Sequence, residues 1–427
     1  MRILLVNTFH FRGGGDSTYT LNLAELLRSK GHQAAFFAMQ DPRNLHDPNS
    51  DLFVSPINFR EMNRRKGMVA GLQVISRVVY SHEARRKIGL LIDRFHPDII
   101  HLQNIHGHIT PSVVFEAKAR GLPVVWTLHD YKLICPNSHF LVDSTGQICE
   151  SCGKSRYHQA ALKRCKKSSL LASSMATLEA YAHRVLRVRE RVDAFFAPGA
   201  FLRNKLIERG FAQDRVHHLP LFLSEEMLTQ RNGLHNDDYM LFLGKIEPIK
   251  GIHTLLQACR LAPGIRLVLA GRLEEPLASE LQPLLPPNAH YVGMKQGEEL
   301  HQLLRNALAV VVPSLWYENQ PFSVLEAFAY GKPVIASRLG GMTELLGNDE
   351  RGKLVAPRDA RMLAERVHWM ATYYQESRDI GRRARRYLID RHAADQHYQK
   401  VMECYNYVVN DGQAVSPTLH YGAASDL

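Results

Sequence analysis

ALAVVVPSLWYENQPFSVLEAFAYGKPVIAS, residues 307–337, decides the fold. ALAVVVPS is a short apolar run of the kind that forms a buried parallel strand. WYENQP reads as a loop, and FSVLEAFAYG as a helix that stops at Gly331. Glu318 falls in the loop and Glu326 in the first turns of the helix, with seven residues between them. Both therefore face the carboxyl end of the strand, where open α/β sheets bind ligands. A helix N-terminus attracts phosphate, and carboxylates beside it can accept hydrogen bonds from sugar hydroxyls. Phosphate, ribose and sugar in one place describe a nucleotide-sugar. Without that setting, Glu318 is a solvated loop residue and Glu326 a residue on a helix face.

The same alternation continues outward. YMLFLGKI, IRLVLAG, AHYVG and PVIAS alternate with helical patterns in the second half, and RILLVN, PDIIHLQN, PVVWTLHD and DAFFAP in the first. The chain reads as α/β, and 427 residues are long for one core and natural for two. The first domain is placed at 1–220 and the second at 221–392, with the irregular segment 216–238 as the hinge. A last helical pattern runs over 393–410, and 411–427 reads as a polar tail.

At 45% hydrophobic and 22% charged, the composition suits ordinary packed cores. MRILLVNTFHF lacks the long apolar core and cleavage site of a secretory signal, and no stretch is long enough to span a bilayer. A cytoplasmic protein, soluble or peripheral on the inner face of the membrane, is expected. The formal net charge is +11. Residues 60–94 carry nine Lys/Arg against three acids, and residues 154–191 ten against two. Such excess can mark nucleic acid, an anionic membrane surface or an acidic substrate. No nucleic-acid motif or interleaved aromatic platform accompanies it, so no nucleic-acid partner is expected. GMVAGLQVISRVVYSHEARRKIGLLIDRF (67–95) is apolar and basic at helical spacing. It fits an anionic membrane surface, or a helix packed on its sheet with a basic outer face.

Residues 307–347 resemble the donor-binding signature of retaining glycosyltransferases of family 4, and weaker likeness extends over nearly the whole chain. The resemblance implies the glycosyltransferase-B architecture, two Rossmann-like domains facing across a cleft. It also implies a C-terminal helix packed on the first domain, so that 393–410 joins 1–220. By the same resemblance Glu326 binds ribose hydroxyls and Glu318 lies near the transferred sugar. Asn319, Gln320, Pro321 and Phe322 then offer backbone groups to sugar hydroxyls.

LGKIEPIKGIHTLLQA (243–258) puts Lys245 and Lys250 in one strand-to-helix loop. Two such cations can clamp a diphosphate and neutralise its charge as it leaves; read alone, they are surface charges. The family pattern there is Gly-Arg-Leu-x-x-x-Lys-Gly. Gly244, Lys250 and Gly251 match, while Lys245 replaces Arg and loses its bidentate fork. His129 and Asp130 end the strand PVVWTLHD. That pair is either satisfied locally or, as the family's matching histidine implies for His129, placed near the donor sugar. In FRGGGDSTYTLNLAELLRSKGHQ (11–33), Gly13, Gly14 and Gly15 let backbone approach an anion ahead of a helix. It is not the dinucleotide fingerprint, which argues against an NAD enzyme. It is similar to the family's Gly-Gly-x-Glu loop, with Gly14 and Gly15 matched and Ser17 standing where Glu is usual, so that Asp16 or Ser17 is left to act there. YVGMKQGEEL matches a segment that touches the nucleobase through backbone, at Val292 and Met294.

Cys135, Cys149, Cys152 and Cys165 have four-thiolate zinc spacing, and the alternative is partly buried free thiols. Their surroundings resemble a cysteine-bearing branch of family 4 associated with surface polysaccharide synthesis, which implies a structural rather than catalytic metal. Cys259 and Cys404 read as core packing. The expected activity is retaining transfer of a sugar from a nucleotide-sugar to a sugar or lipid-linked sugar acceptor, with no catalytic metal. The alternatives are a nucleotide-sugar epimerase or sugar phosphorylase on the same fold, or a non-catalytic scaffold that binds nucleotide-sugar or membrane.

Overall fold

Short runs of β-branched, leucine and aromatic residues form two separate parallel sheets, each the centre of its own compact unit. The computed structural model describes residues 1–56, 77, 79–229, 239–275 and 277–410. Residues 57–76 and 78, which take in the first part of the basic stretch 60–94, residues 230–238 of the expected hinge and the tail from 411 lie outside the described residues.

The first unit comprises Met1–Leu221 together with the chain from Asp395. Its elements are β1 (Arg2–Val6), α1 (Gly15–Ser29), β2 (Gln33–Phe37), α2 (His82–Phe95), β3 (Ile99–Leu102), α3 (Ser112–Ala119) and β4 (Val124–Thr127). There follow a hairpin of β5 (Leu141–Val142) and β6 (Gln147–Ile148), α4 (His158–Leu162) and α5 (Leu170–Val185). β7 (Ala194–Ala197), α6 (Ala200–Glu208) and β8 (Val216–His218) complete the series. The sheet order is β2-β1-β3-β4-β7-β8, all parallel. Every residue of β3, β4 and β7 is buried, as strands covered by helices on both faces require.

The second unit spans Phe222–Ala394. It contains α7 (Glu225–Leu228), β9 (Tyr239–Leu243), α8 (Ile252–Leu261), β10 (Arg266–Ala270), α9 (Leu277–Leu281), β11 (Ala289–Tyr291) and α10 (Gly297–Asn306). It continues through β12 (Ala309–Val312), α11 (Phe322–Ala329), β13 (Val334–Ser337), α12 (Gly341–Leu346), β14 (Gly352–Val355), α13 (Ala360–Thr372) and α14 (Tyr374–Arg391). The order β11-β10-β9-β12-β13-β14 is doubly wound, so the topology reverses between β9 and β12. The loops leaving those two strands flank the crevice where such sheets take ligands. They are the loops that carry Lys250 and Glu318.

The irregular hinge expected over 216–238 is corrected in part: Val216–His218 is the edge strand β8 and Glu225–Leu228 a short helix. Three residues ending in two histidines are too few to show a strand period. β2 was likewise not among the strands read, because Gln33 and the small Ala34 and Ala35 dilute its apolar signal.

A final helix, α15 (Ala394–Val409), packs within the first unit through polar aromatic contacts. Tyr405 Oη lies 2.6 Å from His101 Nδ1, His397 Nε2 lies 2.9 Å from Tyr19 Oη, and Tyr398 Oη lies 2.8 Å from His32 Nε2. His101 is fully buried and its Nε2 meets Thr127 Oγ1 at 2.7 Å, so both ring nitrogens are satisfied.

Among the described residues no helix is long and apolar enough to cross a membrane. Gly251 joins the β9 loop to α8 with φ of +76°, and a Cβ there would collide with the Pro313 carbonyl oxygen. Gly251→Ala is expected to cost about 1–3 kcal/mol and to lower the urea midpoint of the second unit. An unchanged midpoint would mean that the two loops part freely.

Candidate active site

The β9 and β12 loops are fastened to each other by backbone before any side chain is considered. Leu315 N–H donates to the Ile249 carbonyl at 2.8 Å. Lys250 Nζ then reaches Glu318 Oε1 at 2.7 Å. The same carboxylate oxygen accepts from Ser314 Oγ at 2.6 Å and Trp316 Nε1 at 2.9 Å. The Lys250 ammonium also lies 5.1 Å from the centre of the Trp316 ring, within cation–π range. Glu318 is thus a buried anion held by a cation and two neutral donors, and not a solvated loop residue. Behind it, Gly341 N–H donates to the Glu318 carbonyl at 2.9 Å, and a Cβ on Gly341 would strike the Asn319 carbonyl. The start of α12 therefore fixes the backbone at Glu318 and Asn319. Asn319 and Gln320 are buried, and Pro321 is the N-cap of α11.

Glu326 lies one turn into α11, which begins at Phe322 without a side-chain cap. Its first N–H groups are therefore open to an anion. Glu326 itself is only partly exposed, and no described residue donates a side-chain or backbone hydrogen to its carboxylate. Burial alone raises its pKa to about 7. A carboxylate in that environment, with no donor among the described residues, is suited to a donor from outside. Lys245 is half-exposed and pairs with Glu247 at 3.0 Å, so the two lysines of this loop have different partners. The N–H of Val292 is consumed by the Leu269 carbonyl at 3.0 Å, and Met294 stands exposed beyond it.

In the first unit the corresponding loops end β1 and β4. Gly14 caps α1 in extended backbone, and Ser17 Oγ accepts from Gly14 N–H at 3.2 Å and donates to the Gly14 carbonyl at 3.1 Å. Ser17 is buried, so it fastens the glycine loop, and the charge at this end of the helix is carried by Asp16. His129 Nε2 meets Gln103 Oε1 at 2.8 Å, which fixes the proton on Nε2 and leaves Nδ1 as an acceptor. Burial lowers the His129 pKa to about 4, against an opposing pull from Asp16, so the ring is neutral at pH 7. Burial raises neighbouring Asp130 to about 6, although Lys132 N–H donates to it at 2.8 Å. Ser314, Trp316, Gln103 and Gly341 were missed in sequence reasoning. Each acts through a contact to another loop or to a neighbour's carboxylate, which no spacing rule displays.

The four cysteines converge without forming the expected metal site. Cys152 and Cys165 sit in an apolar pocket with Val142, Tyr157 and Ala160, and Cys149 packs against it. None of the four is in a disulfide. Among the described residues no three His, Cys, Asp or Glu side chains are placed to hold a metal ion. Burial drives Cys152 and Cys165 up to about 12, helped by the neighbouring sulfurs, and raises Cys135 as well. Cys149 differs. Burial would raise it, but Ser151 at 3.3 Å and the Lys163 ammonium at 3.4 Å outweigh that and hold its thiol below the ordinary value.

Family models match both halves of the chain. One described as glycosyl transferase 4-like domain covers residues 14–221, and one described as glycosyl transferases group 1 covers residues 224–387. The chain is 25% identical over 364 residues to an uncharacterized 42.6 kDa protein in the cps region of Klebsiella pneumoniae, spanning 81% of this chain and 87% of that one. It is 32% identical over 149 residues to the D-rhamnosyltransferase WbpZ of Pseudomonas aeruginosa, which is 34% of this chain and 39% of that one. HepE of Anabaena, solved in complex with UDP-glucose, aligns with a TM-score of 0.62 and 16% identity over 94% of this chain and 98% of that one. At that identity the likeness is one of fold.

The thiol environments give a direct test. In folded protein a thiol reagent at pH 8 is expected to modify Cys149 first, with Cys135, Cys152 and Cys165 reacting only on unfolding. Uniform protection of all four, relieved together by a chelator, would instead reveal a bound metal.

Proposed function

We infer that this chain, a glycosyltransferase of the glycosyltransferase-B architecture, moves a sugar from a nucleotide-sugar to a hydroxyl of a sugar or lipid-linked sugar acceptor with retention at the anomeric carbon. The observation that carries this reading is the pairing of two unlike carboxylates at the switch point of the second sheet. Glu318 Oε1 accepts from Lys250, Ser314 and Trp316, whereas no described residue donates to the Glu326 carboxylate.

Glu326 would take the ribose hydroxyls and the open start of α11 the diphosphate. Lys250 lies within reach of the same end of the sheet and would meet charge that grows as the diphosphate departs, with Lys245 as a second, more mobile cation. Asn319, Gln320, Pro321 and Phe322 would present backbone to the transferred sugar, and Val292 and Met294 to the base. In the first unit, neutral His129 can accept a hydroxyl hydrogen at Nδ1 without adding charge, beside the Gly14 and Gly15 loop. The lysines and helix starts give the leaving group its counter-charge, so the scheme calls on no divalent metal. HepE binding UDP-glucose and the cps-region relative are consistent with such a donor and with polysaccharide assembly.

The roles separate kinetically. Lys250→Ala is expected to lower turnover about 10²- to 10³-fold, because its charge acts mainly in the transition state. Glu318→Gln should depress turnover more than donor affinity. Glu326→Ala should chiefly weaken donor binding. Nucleotide release and sugar transfer measured for each variant decide the matter, and near-normal turnover in both Lys250→Ala and Glu318→Gln would move the chemistry elsewhere.

The raised pKa of Glu326 adds a pH signature. The folded chain holds this proton up to about pH 7 while the unfolded chain releases it in the ordinary carboxylate range. Stability therefore falls as pH rises through that window. A ribose hydroxyl donates to the ionised form, so donor affinity is expected to climb through pH 7 and level off above it. In Glu326→Gln it should be weaker and flat. A flat wild-type profile would remove Glu326 from the donor site.

A further inference from the structure

The helix α5 is built inside out. Ser173, Ala176 and Glu179 form its buried side, with Glu179 consumed by a buried pair to Lys132 at 2.7 Å. Thr177 Oγ1, beside them, is tied to the Tyr157 carbonyl at 3.2 Å. The outward side carries Leu171, Leu178 and Val185, which are 68%, 47% and 79% exposed. Seven residues turn an α-helix through nearly two full turns, so these three lie in one stripe. Leu162, at the end of the packed helix α4, adds a side chain 71% exposed. An amphipathic helix ordinarily turns its small and polar residues outward and its leucines inward. Among the described residues nothing covers this apolar face.

Its flanks say what would. Arg164, Lys167, Arg184 and Arg187 are exposed at the two ends of the stripe, and none is in an ion pair among the described residues. Between residues 151 and 189 the only acid is Glu179, which is buried beneath the helix. A second copy of this face would bring unpaired cations against unpaired cations. A bilayer with anionic headgroups meets both the charge and the leucines.

We propose that the outward face of α5, with Leu162, is a docking surface for an anionic lipid bilayer. Leu171, Leu178 and Val185 enter the headgroup–acyl boundary, and Arg164, Lys167, Arg184 and Arg187 hold the phosphates around them. This gives a place for the lipid-linked acceptor of the function proposed above and rests on that reading only for the acceptor's nature. Vesicle binding itself needs neither donor nor acceptor.

The test is flotation of the full chain with vesicles of phosphatidylglycerol and phosphatidylcholine, against vesicles of phosphatidylcholine alone. Wild type is expected to float with the first at low salt and to be partly released at high salt. Arg184→Gln with Arg187→Gln should weaken binding by about tenfold or more at low salt. Leu171→Ser, Leu178→Ser and Val185→Ser together should weaken it at every salt concentration. The three side chains are exposed, so the melting temperature should hold; should it fall, Leu178→Ser alone carries the comparison. Donor hydrolysis without vesicles is measured in parallel and should be unchanged, so a failed docking surface and a failed enzyme assignment give different results. Equal flotation with both vesicle types, or a triple variant that floats like wild type, would overturn the proposal. So would a wild-type dimer that the triple variant converts to monomer without any vesicle binding.

Discussion

The hydrogen-bonded charge pair between Lys250 and Glu318 is the contact on which the second unit's ligand end depends. It ties the loop after the first strand of that sheet to the loop after the fourth, at the point where the winding reverses. An unpartnered anion buried there would be costly, since removing one member of a buried pair leaves the other without compensation. The pair is therefore a structural clasp as well as a source of charge. Backbone reinforces it from two directions, through Leu315 to Ile249 and through Gly341 to Glu318. The glycines at 251 and 341 are demanded by these close approaches, not by flexibility.

The contrast between the two glutamates follows from their distance to donors. Glu318 sits where Ser314 and Trp316 fold back on it within a five-residue loop, and Lys250 adds the counter-charge from the neighbouring loop. Glu326 projects from a helix whose neighbours are apolar, Val324, Leu325, Ala327 and Phe328 all being buried. Among the described residues no hydrogen-bond donor reaches its carboxylate. The same residue type thus has three donors on one oxygen in one place and is poised for an outside partner in the other, eight positions along the chain.

Much of this was legible in the sequence because parallel strands buried on both faces leave uninterrupted apolar runs. VVVPS and PVVWT are two such runs, and the α/β class follows from their alternation with helices. The loop-helix setting of Glu318 and Glu326 was readable for the same reason. What holds Glu318 was not, because Lys250 lies 68 residues away and meets it only when two strands become neighbours. Ser17 could be seen to replace a glutamate, but its task of fastening Gly14 depends on the start of α1. The cysteine spacing did bring four sulfurs together, yet spacing says nothing of side-chain direction. Cys149 is turned toward Ser151 and Lys163. β8 escaped notice because an edge strand of three residues needs only its neighbour's ladder to form.

The docking of α15 on the first unit has a consequence for how the protein is made. Residues 395–409 supply the partner for one nitrogen of His101 and for the hydroxyl of Tyr19, both deep in a unit whose sheet is laid down within the first 218 residues. A ribosome delivers the N-terminal sheet first and that helix only after the whole second unit. During that interval the first sheet carries an uncovered strip of polar aromatic groups, and its core closes last. Synthesis order and folding order are thereby separated, and the second unit, whose elements are contiguous in sequence, can be finished before the first.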